Sequence, residues 1–173
     1  IGKMADDVVA VLDAAGIEQA HLLGHALGGL VGLEMALRHP RRLGRLVAVN
    51  AWAKADRHTE RCFDVRIGIL EAQGAEAYVA AQPLFLHTAP YLSIHHGRIL
   101  AEIAHGTAHF QGKPNLLARI AALRAFDVSE DLRRITAPVL VAAARDDLLV
   151  PWTASKILAE GLPNAEFWLT SEG

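Results

Sequence analysis

Between His21 and Gly32 the chain reads His-Leu-Leu-Gly-His-Ala-Leu-Gly-Gly-Leu-Val-Gly. An apolar run with the character of a buried strand stops at Gly24, and a helical pattern begins at Leu27, leaving only a tight turn between them. Gly24 and Gly28 occupy the outer positions of a G-x-S-x-G elbow, where the turn is sharp and strained and where added side chains are expected to strike the neighbouring strand or helix. The middle position holds Ala26. The spacing describes the seat of an acyl-transfer nucleophile with no hydroxyl or thiol in it. The same glycines also suit plain strand-helix packing in any doubly wound fold. Leu27, opening the helix, brings an unpaired N–H at the positive end of the macrodipole, a site for an anionic oxygen.

Other residue types capable of chemistry are scattered along the chain. His25 flanks the elbow centre, where its ring either faces a site or packs under the turn. His105 and His109 are four apart on an expected helix, the spacing of a metal pair, but Gly106-Thr107-Ala108 between them lacks the glutamate of a zincin motif, and no metal or cofactor is expected. His109, Gln111 and Lys113 combine a ring, an amide and a cation within a short stretch that could contact a small carboxylate or carbamate; a plain helix end explains it equally well. Cys62 is the only cysteine; nothing basic stands beside it in the sequence, so it reads as packing rather than as a nucleophile. His95-His96 read as a solvated pair, and Trp52 and Phe63 as core.

The elements that must position these residues follow from periodicity. Apolar Met4, Val8, Val9, Val11 and Leu12 alternate with Asp6, Asp7 and Asp13 at helical spacing, and Gly16 is the stop. A strand over 17–23 leads to the elbow, a helix follows over 27–38 with Pro40 beyond its end, and Leu46 to Val49 form the next strand. Strand, helix, strand in that order is a parallel crossover unit. From about 51 to 132 only helical segments are expected, near 61–73, 75–82, 94–108 and 115–126. A helical insertion between strands of a parallel sheet commonly covers a site, which makes it a candidate lid. The sheet resumes at 138–144, a helix spans about 152–160, and a last strand covers 166–169. The expected division is a core of 1–51 and 132–173 with an inserted helical lid over 52–131.

Composition narrows the function classes. With 52% hydrophobic residues, 173 residues can bury a sizeable core, and a formal net charge of −2 with interspersed signs gives neither a nucleic-acid stripe nor a polybasic membrane patch. One cysteine excludes an internal disulfide and a thiolate zinc site and suits a reducing, cytoplasmic compartment. No apolar run reaches the length of a membrane span. The expected partner is a small-molecule substrate, with a homodimer as the candidate assembly and neither nucleic acid nor membrane. The chain opens on Ile1 inside a helical pattern and closes on Ser171-Glu172-Gly173 after an apolar run, so it reads as a piece of a longer protein.

The elbow glycine pair after one strand and the D-x-x-x-P turn from Asp147 to Pro151 after a later strand, separated by a helical insertion, resemble the α/β-hydrolase fold. That resemblance implies a triad in the order nucleophile, acid, histidine, with Asp147 as the acid and Asp146 as a turn residue. Gly24-His25-Ala26-Leu27-Gly28, Arg61-Cys62-Phe63, Ala81-Gln82-Pro83-Leu84-Phe85-Leu86, Ala108-His109-Phe110-Gln111-Gly112-Lys113 and Asp146-Asp147-Leu148-Leu149-Val150-Pro151 narrow the match. Together they resemble the pyrimidine-utilization protein D group of bacterial uracil degradation, described as aminoacrylate or carbamate hydrolases. The resemblance implies that alanine at the elbow centre is a trait of the group, that Leu27 supplies an oxyanion donor, and that the catalytic histidine follows Gly173. On the family's frame this chain is the C-terminal part of the sheet, expected to be inactive alone, with an unpaired edge on the strand entering the elbow. The alternatives are a conventional ester or lactone hydrolase and a non-catalytic ligand-binding protein of the same fold.

Overall fold

A computed structural model describes residues Ile1–Gly173. Four strands, β1 (Ala20–His25), β2 (Leu43–Val49), β3 (Val139–Ala144) and β4 (Ala165–Thr170), form one sheet in the order β1-β2-β3-β4, with every pair parallel. The register places Gly24 beside Ala48, Ala48 beside Val141, and Ala142 beside Trp168. Parallel neighbours require crossovers, which the helices provide. Helix α2 (Leu27–Arg38) joins β1 to β2, and α8 (Trp152–Gly161) joins β3 to β4. Between β2 and β3 run α3 (Arg57–Ala81), α4 (Pro83–Leu86), α5 (Ala89–Ile94), α6 (His96–Ala108) and α7 (Lys113–Ala125). The α/β class expected from the sequence is the class observed.

Helix α1 (Gly2–Ala14) ends in a left-handed glycine: Gly16 has φ +68°, its N–H donates to Asp13 O, and Ile17 N–H donates to Leu12 O. This pair of bonds is the Schellman termination, and it corrects the expected strand start, because Ile17 serves the helix end and pairing begins only at Ala20. Helix α3 starts earlier than expected, at Arg57, where Asp56 accepts a hydrogen bond from Thr59 N–H at 2.8 Å, and it breaks at Gly74 (φ +85°), between the two helical segments expected at 61–73 and 75–82.

Helix α2 lies very close to the sheet. A β-carbon added at Gly32 falls 2.4 Å from Leu46 Cδ1, and one at Gly29 falls 2.8 Å from Ala51 Cβ, so only glycine permits this spacing. The neck of the helical insertion is fastened where Val128 N–H donates to Ala53 O at 3.0 Å and Lys54 Nζ meets Asp127 Oδ2 at 2.7 Å. Core and insertion share one continuous cluster of buried apolar side chains, from Leu30 and Leu46 through Phe63 and Ile120 to Val141 and Leu158. Strand β1 is an edge strand, and Leu23 on it is 72% exposed. No helix is long and apolar enough to cross a membrane.

Candidate active site

Ala26 adopts φ +46° and ψ −112°, a conformation that costs a non-glycine residue roughly 1–3 kcal/mol and persists only where its surroundings enforce it. The enforcement is local. Ala26 N–H donates to Val49 O at 2.8 Å, and Ala26 O accepts from Gly29 N–H at 2.9 Å and Leu30 N–H at 3.2 Å. A β-carbon at Gly24 stands 2.2 Å from the backbone carbon of Gly28, so glycine is obligatory there. Gly28 corrects the expectation: nothing lies within 4 Å of its added β-carbon. The turn needs Gly28's backbone as a neighbour of Gly24, not its missing side chain. His25, the last residue of β1, is exposed and borders a cavity rather than packing under the turn. Ala26 and Leu27 border the same cavity. The first N–H groups of α2, beginning with Leu27, have no acceptor within the helix.

Asp147 sits on the turn after β3. Its Oδ1 accepts from Leu149 N–H and Val150 N–H, each at 2.8 Å, and its Oδ2 accepts from Asn50 Nδ2 at 2.6 Å. Burial is the largest influence on this carboxyl and lifts it above the usual carboxylate range. The two backbone N–H groups and the nearby His25 pull the other way. Asp146 is exposed and its side chain accepts no hydrogen bond, so the two adjacent acids occupy very different surroundings. Asn50, at the end of β2 with φ +47°, is a site residue that sequence reasoning missed. Besides holding Asp147 it accepts from Ala144 N–H at 3.2 Å. The start of α3 holds the same turn: His58 Nε2 donates to Leu148 O at 2.6 Å and Thr59 Oγ1 to Leu149 O at 3.2 Å.

The cavity, about 550 Å³, opens between the elbow and the helical insertion, within the range of small-molecule sites. His109 and Gln111 border it, but Lys113 does not: its Nζ pairs with Glu71 at 2.6 Å on the outer surface. The first turn of α7 points Lys113 toward α3, which sequence spacing alone could not indicate. His109 stacks on His105 at 4.2 Å, and its Nδ1 donates to His105 O at 2.9 Å, an arrangement within one helix end. Trp52 and Phe63, expected as core, are buried and also form cavity wall. Cys62 does have a basic neighbour, His58 Nε2 at 3.5 Å, but that nitrogen already donates to Leu148 O, and burial pushes the thiol up. A protonated thiol is a poor nucleophile.

Residues 1–66 match the family model described as the alpha/beta hydrolase fold. A protein of Agrobacterium fabrum named "Putative carbamate hydrolase RutD" is 57% identical over 173 residues, covering 100% of this chain and 66% of that protein. A protein of the same name from Pseudomonas savastanoi pv. phaseolicola is 49% identical, covering 100% of this chain and 67% of its own length. The chain thus spans about two thirds of the length of these relatives. Among solved structures, a hydrolase from Pseudomonas aeruginosa PA01 superposes with a TM-score of 0.83 at 26% identity, over 97% of this chain and 62% of that one.

Proposed function

The chain belongs to the RutD family of α/β-hydrolases, and on that premise we propose that the whole protein hydrolyses a small metabolite of pyrimidine breakdown, a carbamate or an aminoacrylate, without a serine nucleophile. The observation that carries this reading is Ala26 itself: an alanine held in the strained conformation of a nucleophile elbow, bordering a cavity. A methyl group in that seat leaves room for a water. Leu27 N–H faces the oxygen on which negative charge develops, and Asp147 orients a histidine that removes a proton from the attacking water. In this reading the histidine is supplied by the whole protein. With carbamate, water oxygen bonds to carbon, the C–N bond breaks with the proton returned to nitrogen, and ammonia and bicarbonate leave. With aminoacrylate, C2 takes a proton, water adds to C3, and C–N cleavage releases ammonia and the aldehyde acid. General-base help of this kind is worth about 10²- to 10⁴-fold, enough for labile substrates of this sort. The helical insertion acts as the lid over the reaction.

Ammonia release from both substrates by the whole protein, together with the Ala26→Ser variant, tests the reading. The unmodified protein is expected to turn over one of the two substrates and to resist a serine-directed phosphonate. Ala26→Ser is expected to take one equivalent of phosphonate at residue 26, read by intact mass, and to cleave an activated ester. Labelling of the unmodified protein would place the nucleophile elsewhere. Absence of turnover together with an unlabelled serine variant would leave a ligand-binding protein.

A further inference from the structure

Arg66 borders the cavity and has no carboxylate within 4.0 Å, whereas the cavity's one acidic residue, Glu102, is already taken by Arg98 at 2.9 Å and His87 at 3.5 Å. The guanidinium is nonetheless held in place. Its Nη2 donates to Tyr78 Oη at 3.0 Å and to Gln82 Oε1 at 2.5 Å, and Gln82 is in turn fixed by its own bond to Tyr78 O at 3.1 Å. The rings of Phe63, Tyr78 and Phe85 stand 5.7, 5.7 and 5.8 Å from its Cζ. All of these partners are neutral. Nη1 makes no hydrogen bond and is not shut away from solvent, while Nε is buried without an acceptor, as is the indole Nε1 of Trp52, another wall residue. This wall therefore carries a fixed, un-neutralised positive charge and an excess of donors. A permanently charged guanidinium whose Nη2 is locked by two neutral partners and whose Nη1 is open is suited to receiving a carboxylate at Nη1.

The cavity's other arginine, Arg119, is exposed with no hydrogen bond holding it in place, and a further region suited to negative charge lies at Leu27 on the N-terminus of α2, a different element from Arg66. A four-heavy-atom carbamate fills little of about 550 Å³ and carries a single charged group, which is also its reacting carbon. We propose that Arg66 is the carboxylate-binding residue of this cavity, and that the ligand is a short carboxylic acid whose reacting carbon stands apart from the carboxylate, beside Ala26 and Leu27. The proposal rests on the hydrolase reading for the identity of the reacting end, and it favours the aminoacrylate class over carbamate. The anchoring itself does not depend on turnover.

Crotonate has the heavy-atom skeleton of aminoacrylate with methyl for amine, and crotonamide is its neutral match. Ligand-observed NMR titration of the whole protein with each, without any reaction, reads the charge preference directly. The unmodified protein is expected to bind crotonate at least about tenfold more tightly than crotonamide, with the difference shrinking in Arg66→Met while crotonamide binding holds. Arg66→Lys is expected to keep part of the preference, since it keeps the charge and loses the planar group that Tyr78 and Gln82 hold in place. If Arg66→Met does not fold by circular dichroism, Arg66→Gln replaces it, and the comparison in the unmodified protein stands by itself. Equal binding of the two ligands, binding of neither, a crotonate preference that survives in Arg66→Met, or equal weakening of both ligands each overturns the proposal. Failed hydrolysis with an intact, Arg66-dependent crotonate preference would remove only the hydrolase reading.

Discussion

The elbow at Ala26 and the acid turn at Asp147 stand at the carboxyl ends of two strands of one parallel sheet, yet they are built in opposite ways. The elbow is shaped largely by its own residues: Gly24 allows the close approach, and Gly29 and Leu30 bond back to Ala26 O, with Val49 O the one hydrogen-bond acceptor for Ala26 from the next strand. The acid turn, besides the Leu149 and Val150 N–H groups that cap Asp147 Oδ1, draws partners from far along the chain, Asn50 at 97 residues' separation and His58 and Thr59 at 90 each. A turn that encodes its own shape does not depend on the side chain at its centre, so alanine sits there with the strain intact. A turn assembled from distant partners persists only while the whole fold does.

The largest effect expected from this contrast is functional. Asp147→Asn in the whole protein should lower turnover by roughly 10³- to 10⁴-fold, and Asp146→Asn by far less, measured as steady-state ammonia release. Equal losses at the two positions would end the assignment of the buried acid. Next comes the elbow's self-sufficiency. Gly24→Ala forces a methyl to 2.2 Å from Gly28 backbone and should cost about 3 kcal/mol or more, whereas Gly28→Ala, with open space around it, should be neutral or stabilise by up to about 1 kcal/mol through helix propensity. Chemical denaturation of both variants reads the difference, and a costly Gly28→Ala would show that the turn depends on both glycines.

Removing a remote partner of the acid turn should have an intermediate effect. Asn50→Leu leaves Asp147 Oδ2 without its 2.6 Å donor and should destabilise by about 1–3 kcal/mol in thermal melts, while the elbow, probed by phosphonate labelling of an Ala26→Ser background, stays reactive. Loss of labelling in step with stability would mean that the two regions are coupled. The smallest effect concerns pH. Because burial raises the Asp147 carboxyl above its ordinary value, its folded form holds the proton more tightly than the unfolded form. The stability it contributes is present below the ordinary carboxylate range and is lost as pH rises through the raised value. The melting temperature of the unmodified protein relative to Asp147→Asn should therefore fall as pH is raised from below the ordinary carboxylate range to neutral. Asp127, held down to about 2 chiefly by Lys54, acts in the opposite sense and cancels in that difference.

What could be read in the sequence follows the same division. The strand-turn-helix at the elbow and both ends of α2 were legible because glycine spacing and helical periodicity are local signals. The distinction between Asp146 and Asp147 rested on family spacing, and the structure separates them by exposure and hydrogen bonding. Asn50, His58 and Thr59 carried no signal, since a polar residue at a strand end or in a first helical turn is ordinary until its distant partner is known. Arg66 was invisible for a related reason: a lone arginine inside a helix reads as a solvated face, and only the fold reveals that no carboxylate meets it. Lys113 was the reverse case, a cation with apparent purpose that pairs with Glu71 outside the cavity.

The fastening at Lys54 and Asp127 has a consequence for how the protein assembles itself. Bringing Asn50 to Asp147 closes a loop of 97 residues, but once Lys54 meets Asp127, 73 residues of that loop are already tied off. The chain still to be closed is then several times shorter, and closure entropy, growing with the logarithm of loop length, falls by roughly 1 kcal/mol. The least costly order of events forms the neck first and the buried acid afterwards. On this route the helical insertion acts as a clamp that delivers β3 to β2, and slow, long-range strand pairing is recast as the joining of two short tethered ends.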